Sequence, residues 1–113
     1  MYQSITAVGR LGNDPELRYT AGGQPVCNFS IAVDRAYKAS DGQNAKETTW
    51  FKVIAWGKLG EVCAEHLAKG KLVLVEGRVS AQAYIKDGEA KASLELTANI
   101  VKFLSAKEQE EEF

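Results

Sequence analysis

Long hydrophobic runs are absent from this chain of 113 residues, and no segment approaches the length of a membrane-spanning helix. Such a helix needs about 20 consecutive apolar residues. The first four residues also lack the basic and apolar regions of a secretory signal peptide. We therefore expect a cytoplasmic protein that has no membrane partner.

Histidine and cysteine are scarce, with one His and two Cys in the whole chain. Cys27 and Cys63 are far apart and form no CxxC pair, so the ligand spacing of a zinc site is missing. Both cysteines fall on apolar faces of predicted elements, which predicts buried, reduced thiols. His66 lies on the apolar stripe of a predicted helix, where we expect a packed or interface histidine. We therefore predict no metal, no cofactor, no catalytic residue and no enzyme.

A charge excess of either sign is also absent, because 14 basic and 15 acidic residues give a net charge of −1. The distribution is nevertheless uneven. Residues 107–113 hold four glutamates and one lysine, whereas residues 1–106 hold 13 basic and 11 acidic groups. The sequence predicts a mildly basic folded domain over residues 1–104, which is compatible with a nucleic-acid partner. It predicts a short, disordered acidic tail over residues 105–113.

The most informative segment present is 50–58, whose residues alternate as in a β-strand. One face carries Trp50, Lys52 and Trp56, and the other carries Phe51 and Val53. Two aromatic rings with a cation between them suit single-stranded nucleic acid, because its bases can stack on the rings. A strand that is buried on both faces, or a protein–protein surface, would give the same pattern.

The elements around this segment are mostly strands. Strands are predicted over residues 3–13, 25–37, 47–57, 71–85 and 90–104, and an amphipathic helix over 58–69 that Gly70 ends. Turn-rich segments lie at 14–23 and 38–46, and Asp87-Gly88 is a hairpin signal. An all-β chain with one short helix between its third and fourth strands favours a five-stranded Greek-key barrel of the oligonucleotide-binding (OB) class.

Several segments resemble the bacterial single-stranded DNA-binding proteins, and the likeness extends over about residues 3–104. They read VGRLGNDPELRY at 8–19, NFSIA at 28–32, TWFKV at 49–53, WGKLGE at 56–61, LAKG at 67–70 and VEGR at 75–78. The order and spacing of these segments are specific to that family. The resemblance implies an OB-fold that assembles as a homotetramer. It also implies sequence-independent binding of single-stranded DNA at the bacterial nucleoid, in replication, recombination and repair.

The resemblance also places the binding residues. Base-stacking aromatics fall on Tyr37, Trp50, Trp56 and Tyr84. Phosphate contacts fall on Arg10, Arg18, Lys52, Lys58 and Lys69, with Arg78 and Lys38 as weaker candidates because charges in loops and at strand ends are often only solvated. For the tetramer, the sequence adds that the first strand is apolar on one face and only partly polar on the other, which fits an edge that pairs with a second chain.

The chain departs from the family pattern in two places. Ser80 and Gln82 stand where well-known members carry further basic residues. The long Gly-, Pro- or Gln-rich linker before the tail is missing, and the tip lacks the usual Pro. The tip is still predicted to bind replication and repair proteins through Glu110, Glu111, Glu112 and Phe113. The alternative function is an accessory replication or primosome adaptor with the same barrel, which acts mainly through protein contacts.

Overall fold

Within residues 1–104, the period-two alternation of apolar residues gives the five long strands, and one change to helical spacing gives the helix. The structure, a computed structural model, describes residues 1–104. The predicted tail and its tip lie outside the described residues. In chain order the elements are β1 (Ile5–Leu11), β2 (Glu16–Tyr19), β3 (Pro25–Lys38), β4 (Asn44–Trp56), α1 (Gly57–His66), β5 (Leu72–Lys86) and β6 (Glu89–Phe103).

Five of the strands close into a barrel. The strand order is β1-β5-β6-β4-β3, and β1 closes the ring by pairing with β3 at Arg10 and Leu11. The β4–β6 pairing is parallel and all the other pairings are antiparallel. Gly9 permits the closure, because a Cβ at Gly9 would overlap the carbonyl oxygen of Ala32 on β3. The predicted OB-fold barrel, with its helix between the third and fourth barrel strands, is confirmed.

The core lies inside the barrel and is formed by the side chains that point inward from alternate positions of the strands. Its largest fully buried side chains are Phe29, Ile31, Leu96, Val53, Val73 and Val75. Helix α1 adds Cys63 to this cluster, and Leu67 follows it in the next turn of chain. Because the inward positions of every strand are committed to the core, the register leaves the alternate positions on the outside.

The predicted helix is too long, because α1 ends at His66 rather than at residue 69. Two residues at and after the end of β1 accept hydrogen bonds from the backbone N–H groups that would have continued the helix. The Asp14 carboxylate accepts a hydrogen bond from the Lys69 N–H at 2.9 Å, and the Leu11 carbonyl accepts one from the Gly70 N–H at 2.9 Å. Gly70 does take the left-handed conformation, with φ of 90°, but in the turn that follows the helix.

Strand β2 was not expected, because residues 14–23 read as a turn-rich segment. Three of its four side chains are exposed and only Leu17 is half-buried, so the strand is too short to show an alternation. It pairs with the first residues of β3, from Tyr19 opposite Pro25 to Glu16 opposite Asn28. The predicted loop at 38–46 is also shorter, since pairing continues to Lys38 opposite Asn44.

Both cysteines are buried and free, as predicted. Burial raises the pKa of the Cys27 thiol. Burial, with a smaller contribution from Cys27, raises the pKa of the Cys63 thiol to about 12. His66 is exposed, and its ring packs against Phe103 with 5.9 Å between the ring centroids. None of the described residues lies in a helix that is long and apolar enough to cross a membrane.

Candidate nucleic-acid interface

Strand β4 divides its side chains between the core and the outside, as the alternation predicts. Trp50 is 55% exposed and Trp56 is 44% exposed, whereas Phe51 is 7% exposed and Val53 is fully buried. Lys52 is exposed between the two indoles. The interpretation of a strand buried on both faces is therefore wrong. We call the side of the sheet that carries Trp50, Lys52 and Trp56 the outer face.

The register places a cation near each indole on this outer face. Trp50 lies opposite Ala32, and Ala32 lies opposite Arg10, so Arg10 is two strands away, at about 10 Å. Trp56 lies opposite Val26, which in turn lies opposite Arg18 on β2. Strand β2, which was not predicted from the sequence, thus places Arg18 on the outer face, two strands away from Trp56.

Arg18 is already held by a neighbouring carboxylate. Its guanidinium forms an ion pair with Glu16, two residues earlier on β2, and both side chains are more than half exposed. Arg10 donates a hydrogen bond to the Gly70 carbonyl at 3.1 Å. Lys52, in contrast, has no ion pair among residues 1–104. Lys52 is therefore a cation on this face that no described carboxylate holds, so it is free to bind an anion.

Two clefts meet at Lys52 and Ser30, which are cross-strand neighbours on β4 and β3. One cleft, of about 650 Å³, runs from Trp50 to Ser93 on β6. The other, of about 220 Å³, is polar and includes Arg18. Because the two clefts share Lys52 and Ser30, we treat them as one groove, which has Trp50, Lys52 and Arg18 on its walls and Trp56 farther along the same strand.

Tyr84 and Arg78 extend the outer face onto β5. Arg78 lies opposite Thr97 on β6, and Thr97 is in register with Ile54 between Lys52 and Trp56. Tyr84 lies opposite Lys91, farther out on the β5–β6 arm, and its ring is 47% exposed. Only the cross-strand register identifies Lys91 as part of this surface, so the sequence alone gave no signal for it.

Tyr37 is not brought together with the two indoles. The β3–β4 register has no shift, and Tyr37 lies opposite Ala45, which shares the side of β4 that carries Phe51. The Tyr37 ring is 41% exposed, and the Arg35 guanidinium lies 5.1 Å from its centroid. Arg35 in turn forms an ion pair with Glu47 at 3.1 Å. One side of the Tyr37 ring is therefore already in contact with a cation.

The remaining predicted cations lie around the groove at different distances. Lys58 is the second residue of α1 and follows Trp56 closely in the chain. Lys69 lies in the α1–β5 connection, next to the Gly70 carbonyl that binds Arg10. Lys38 lies at the far end of β3, six residues and about 20 Å beyond the position opposite Trp50. Lys58 and Lys69 thus flank the groove, and Lys38 does not.

The turn after β1 fixes one end of the groove, because its side chains accept hydrogen bonds from backbone N–H groups of other segments. The Asn13 side-chain oxygen accepts a hydrogen bond from the Ser30 N–H at 2.9 Å, and the Gly12 N–H donates to the Ser30 carbonyl at 2.9 Å. The Asp14 carboxylate holds the Lys69 N–H in the same turn. These bonds account physically for Asn13 and Asp14 in the sequence after β1.

Over residues 1–104, no three His, Cys, Asp or Glu side chains are grouped so that they could hold a metal ion. What the described surface offers is an open groove with exposed rings, hydroxyl groups and cations. Such a groove can bind an extended, anionic and aromatic ligand by stacking and charge neutralisation.

Comparisons with known proteins agree with this geometry. The profile of the Single-strand binding protein family matches residues 2–104. The chain is 39% identical over 106 residues to Single-stranded DNA-binding protein 1 of Chlorobaculum tepidum, which covers 92% of this chain and 65% of that protein. It is 40% identical over 110 residues to the single-stranded DNA-binding protein of Thermotoga maritima, with 96% and 78% covered.

A solved structure gives the same answer for the fold. The chain is similar to the crystal structure of the small single-stranded DNA-binding protein from Streptomyces coelicolor, with a TM-score of 0.79 and 27% identity over 93% of this chain and 96% of that chain. The chain spans slightly less than two thirds of the length of the Chlorobaculum relative. Because the family profile matches almost all of the described residues, the chain belongs to the Single-strand binding protein family.

Proposed function

We propose that this protein binds single-stranded DNA on the outer face, without reading its sequence, and protects it during replication, recombination and repair. The observation that carries the proposal is the exposure of Trp50 and Trp56 on one face of β4, with the unpaired Lys52 between them. The names of the Chlorobaculum and Thermotoga relatives support it. On this proposal the protein acts in the cytoplasm, in association with the nucleoid.

The mechanism is binding without reaction chemistry. Each base that stacks on an exposed ring contributes about 1–3 kcal/mol. Each phosphate that a lysine or arginine neutralises releases condensed counterions. Neither interaction depends on base identity, so all sequences should bind. Duplex DNA should bind poorly, because its paired bases cannot reach the rings.

The proposed contacts fall into two groups by position. The groove itself would engage DNA through Trp50, Lys52, Trp56, Arg18, Arg10, Lys58, Lys69, Arg78 and Tyr84. Tyr37 and Lys38 would join only where the strand passes onto the β3–β4 arm, away from the indoles. The adaptor function is not favoured, since an adaptor that acts through protein contacts has no need of two exposed indoles along a groove.

The outer face predicts a large loss of affinity when an indole is removed. Trp50→Ala and Trp56→Ala should each weaken binding of an oligonucleotide by about 1–3 kcal/mol, while the fold is kept because both rings lie outside the core. Fluorescence anisotropy of a labelled homopolymer measures this loss. Tyr2→Ala, which removes an exposed ring before β1, is the matched control and should bind as the wild type does. Full affinity in the folded double variant Trp50→Ala/Trp56→Ala would refute the proposal.

Lys52 predicts a change in salt dependence. Lys52→Ala should weaken all sequences about equally and reduce the slope of log K against log salt by about 0.7, the value for one phosphate contact on a single strand. Lys52→Arg keeps the charge and should keep the slope. Titrations at several salt concentrations measure both variants. An unchanged slope in Lys52→Ala would mean that this side chain does not touch phosphate.

The homotetramer is also part of the proposal. Strand β1 pairs with β3 only at Arg10 and Leu11, so within residues 1–104 its second edge from residue 5 to residue 8 is not paired with another strand. A free strand edge is a site for pairing with another chain. Val8 and Ile100 are exposed on the outside of β1 and β6, with Leu74 of β5 opposite Val8. We call Val8, Leu74 and Ile100 the apolar patch. Charged side chains alternate with it, since Glu76 lies opposite Ile100 and Lys102 lies opposite Leu74.

The proposed tetramer predicts the mass of the assembly and a substitution that should dissociate it. Native mass spectrometry at micromolar concentration should give four chains. Val8→Glu should give smaller species, because a carboxylate would be buried in the apolar patch without a partner. Thr6→Glu would be a less selective change, because Thr6 lies directly opposite Glu76 and donates a hydrogen bond to its carboxylate. Ser4→Glu before β1 therefore serves as the control. A wild-type monomer would contradict this part of the proposal.

The acidic tip is proposed to bind replication and repair proteins. A terminal Phe behind three glutamates offers a ring and several carboxylates to a basic pocket. Phe113 is nine residues beyond Leu104, and nine residues can span at most about 30 Å. A partner would therefore bind close to the barrel.

Deleting residues 108–113 separates the two proposed activities. The shortened chain should bind DNA as well as the full chain or slightly more tightly, most clearly at low salt, because the glutamates no longer compete for the groove. It should fail to retain helicase and recombination proteins that the full chain retains from a bacterial lysate. Retention of the same proteins by both chains would show that the tip is not a docking peptide.

A further inference from the structure

Gly12, the first residue after β1, lies against the indole of Trp50. A Cβ at Gly12 would be 2.6 Å from Cζ3 and 2.8 Å from Cη2 of that ring. Both distances are shorter than any that packed carbon atoms keep, since their optimum is about 3.5–4.0 Å. Any side chain at this position would therefore displace the ring or the turn.

The obstruction belongs to the Trp50 side chain and not to the backbone. The three atoms nearest to the Cβ position are all in Trp50, the third at 3.8 Å. Gly9 differs, because there the obstruction is the carbonyl group of Ala32. Gly12 also has no positive φ, so its backbone conformation is open to alanine. Glycine at position 12 is therefore required to make room for the Trp50 ring, and the backbone conformation does not require it.

The turn is fixed and the ring is not. Gly12 and Asn13 occupy both backbone groups of Ser30, each with a hydrogen bond of 2.9 Å, and Asp14 holds the Lys69 N–H at 2.9 Å. Trp50 is 55% exposed, so its ring has space to move toward solvent. When a methyl group is added at Gly12, the side chain of Trp50 will move.

We propose that Gly12 is a positioning residue that fixes where the Trp50 ring lies in the groove. The inference rests on the proposed function, because it assigns the ring the role of stacking on a base. A ring held against a backbone in advance loses less conformational freedom when a base stacks on it. Gly12→Ala would remove the contact between the Gly12 backbone and the Trp50 ring, while both tryptophans and all cations are kept.

Gly12→Ala should weaken binding of single-stranded DNA by about tenfold. This loss lies within the range expected when one base no longer stacks on an aromatic ring. Gly22→Ala is the matched control, because its Cβ would have no neighbour nearer than 4.0 Å and its φ is not positive. It should bind as the wild type does. Wild-type affinity in Gly12→Ala would overturn the inference, while failure of the wild type itself to bind would instead overturn the proposed function.

A double-variant cycle shows whether Gly12 acts through Trp50. In a Trp50→Ala background, Gly12→Ala should have no further effect on affinity or on the melting temperature, because the atoms it collides with are gone. An equal loss in both backgrounds would mean that Gly12 acts on the fold rather than on the ring. This comparison holds even if Gly12→Ala alone is poorly stable.

A spectroscopic measurement without DNA tests whether Gly12 fixes the position of the Trp50 ring. In a Trp56→Phe background Trp50 is the sole tryptophan. There, Gly12→Ala should shift its fluorescence emission to longer wavelength and weaken its near-ultraviolet circular dichroism, as the ring moves toward water. Unchanged spectra in a folded variant would contradict the proposal.

Discussion

The alternation of side chains along β4 is the constraint on which the rest of the structure depends. Phe51, Val53 and Ala55 fill the core, and this burial fixes the register of β4 against β3 and β6. The same register then leaves Trp50 and Trp56 outside. A shift of one residue would bury both indoles and Lys52 and expose the core side chains, so barrel and groove are set by a single choice of register.

The groove also depends on polar side chains that accept hydrogen bonds from backbone N–H groups, in place of the carbonyl groups of a neighbouring strand. Where β1 ends, Asn13 and Asp14 continue the hydrogen bonding that a longer strand would have provided, one toward β3 and one toward the chain after α1. They tie three separate parts of the chain together next to Gly12, the residue that lies against Trp50.

The sequence predicted those features that follow from local periodicity. The two faces of β4, the buried cysteines and the barrel with its single helix all depend on alternation or on a change of period, and all were found. Features that depend on pairing across the sheet were not predictable. Strand β2 carries one half-buried side chain, and the end of α1 is decided by Asp14, 55 residues earlier than its partner.

The site divides in the same way. Trp50, Lys52 and Trp56 share a face because they are two or four residues apart on one strand. Tyr37 carries an aromatic ring at the position that the resemblance indicates, yet the β3–β4 register puts it on the other side of that ribbon, against Arg35. Neither Lys91 beside Tyr84 nor the contact between Gly12 and Trp50 has any signature in the local sequence.

The central claim is that a single strand of DNA lies on the outer face. Photo-crosslinking of an oligonucleotide that carries 5-iodouracil, followed by mass spectrometry of the digested protein, tests it most directly because the label reacts with rings on which it stacks. The account predicts that the main crosslinks form at Trp50 and Trp56. Crosslinks confined to the apolar patch around Val8 and Ile100, with both tryptophans unmodified, would contradict it.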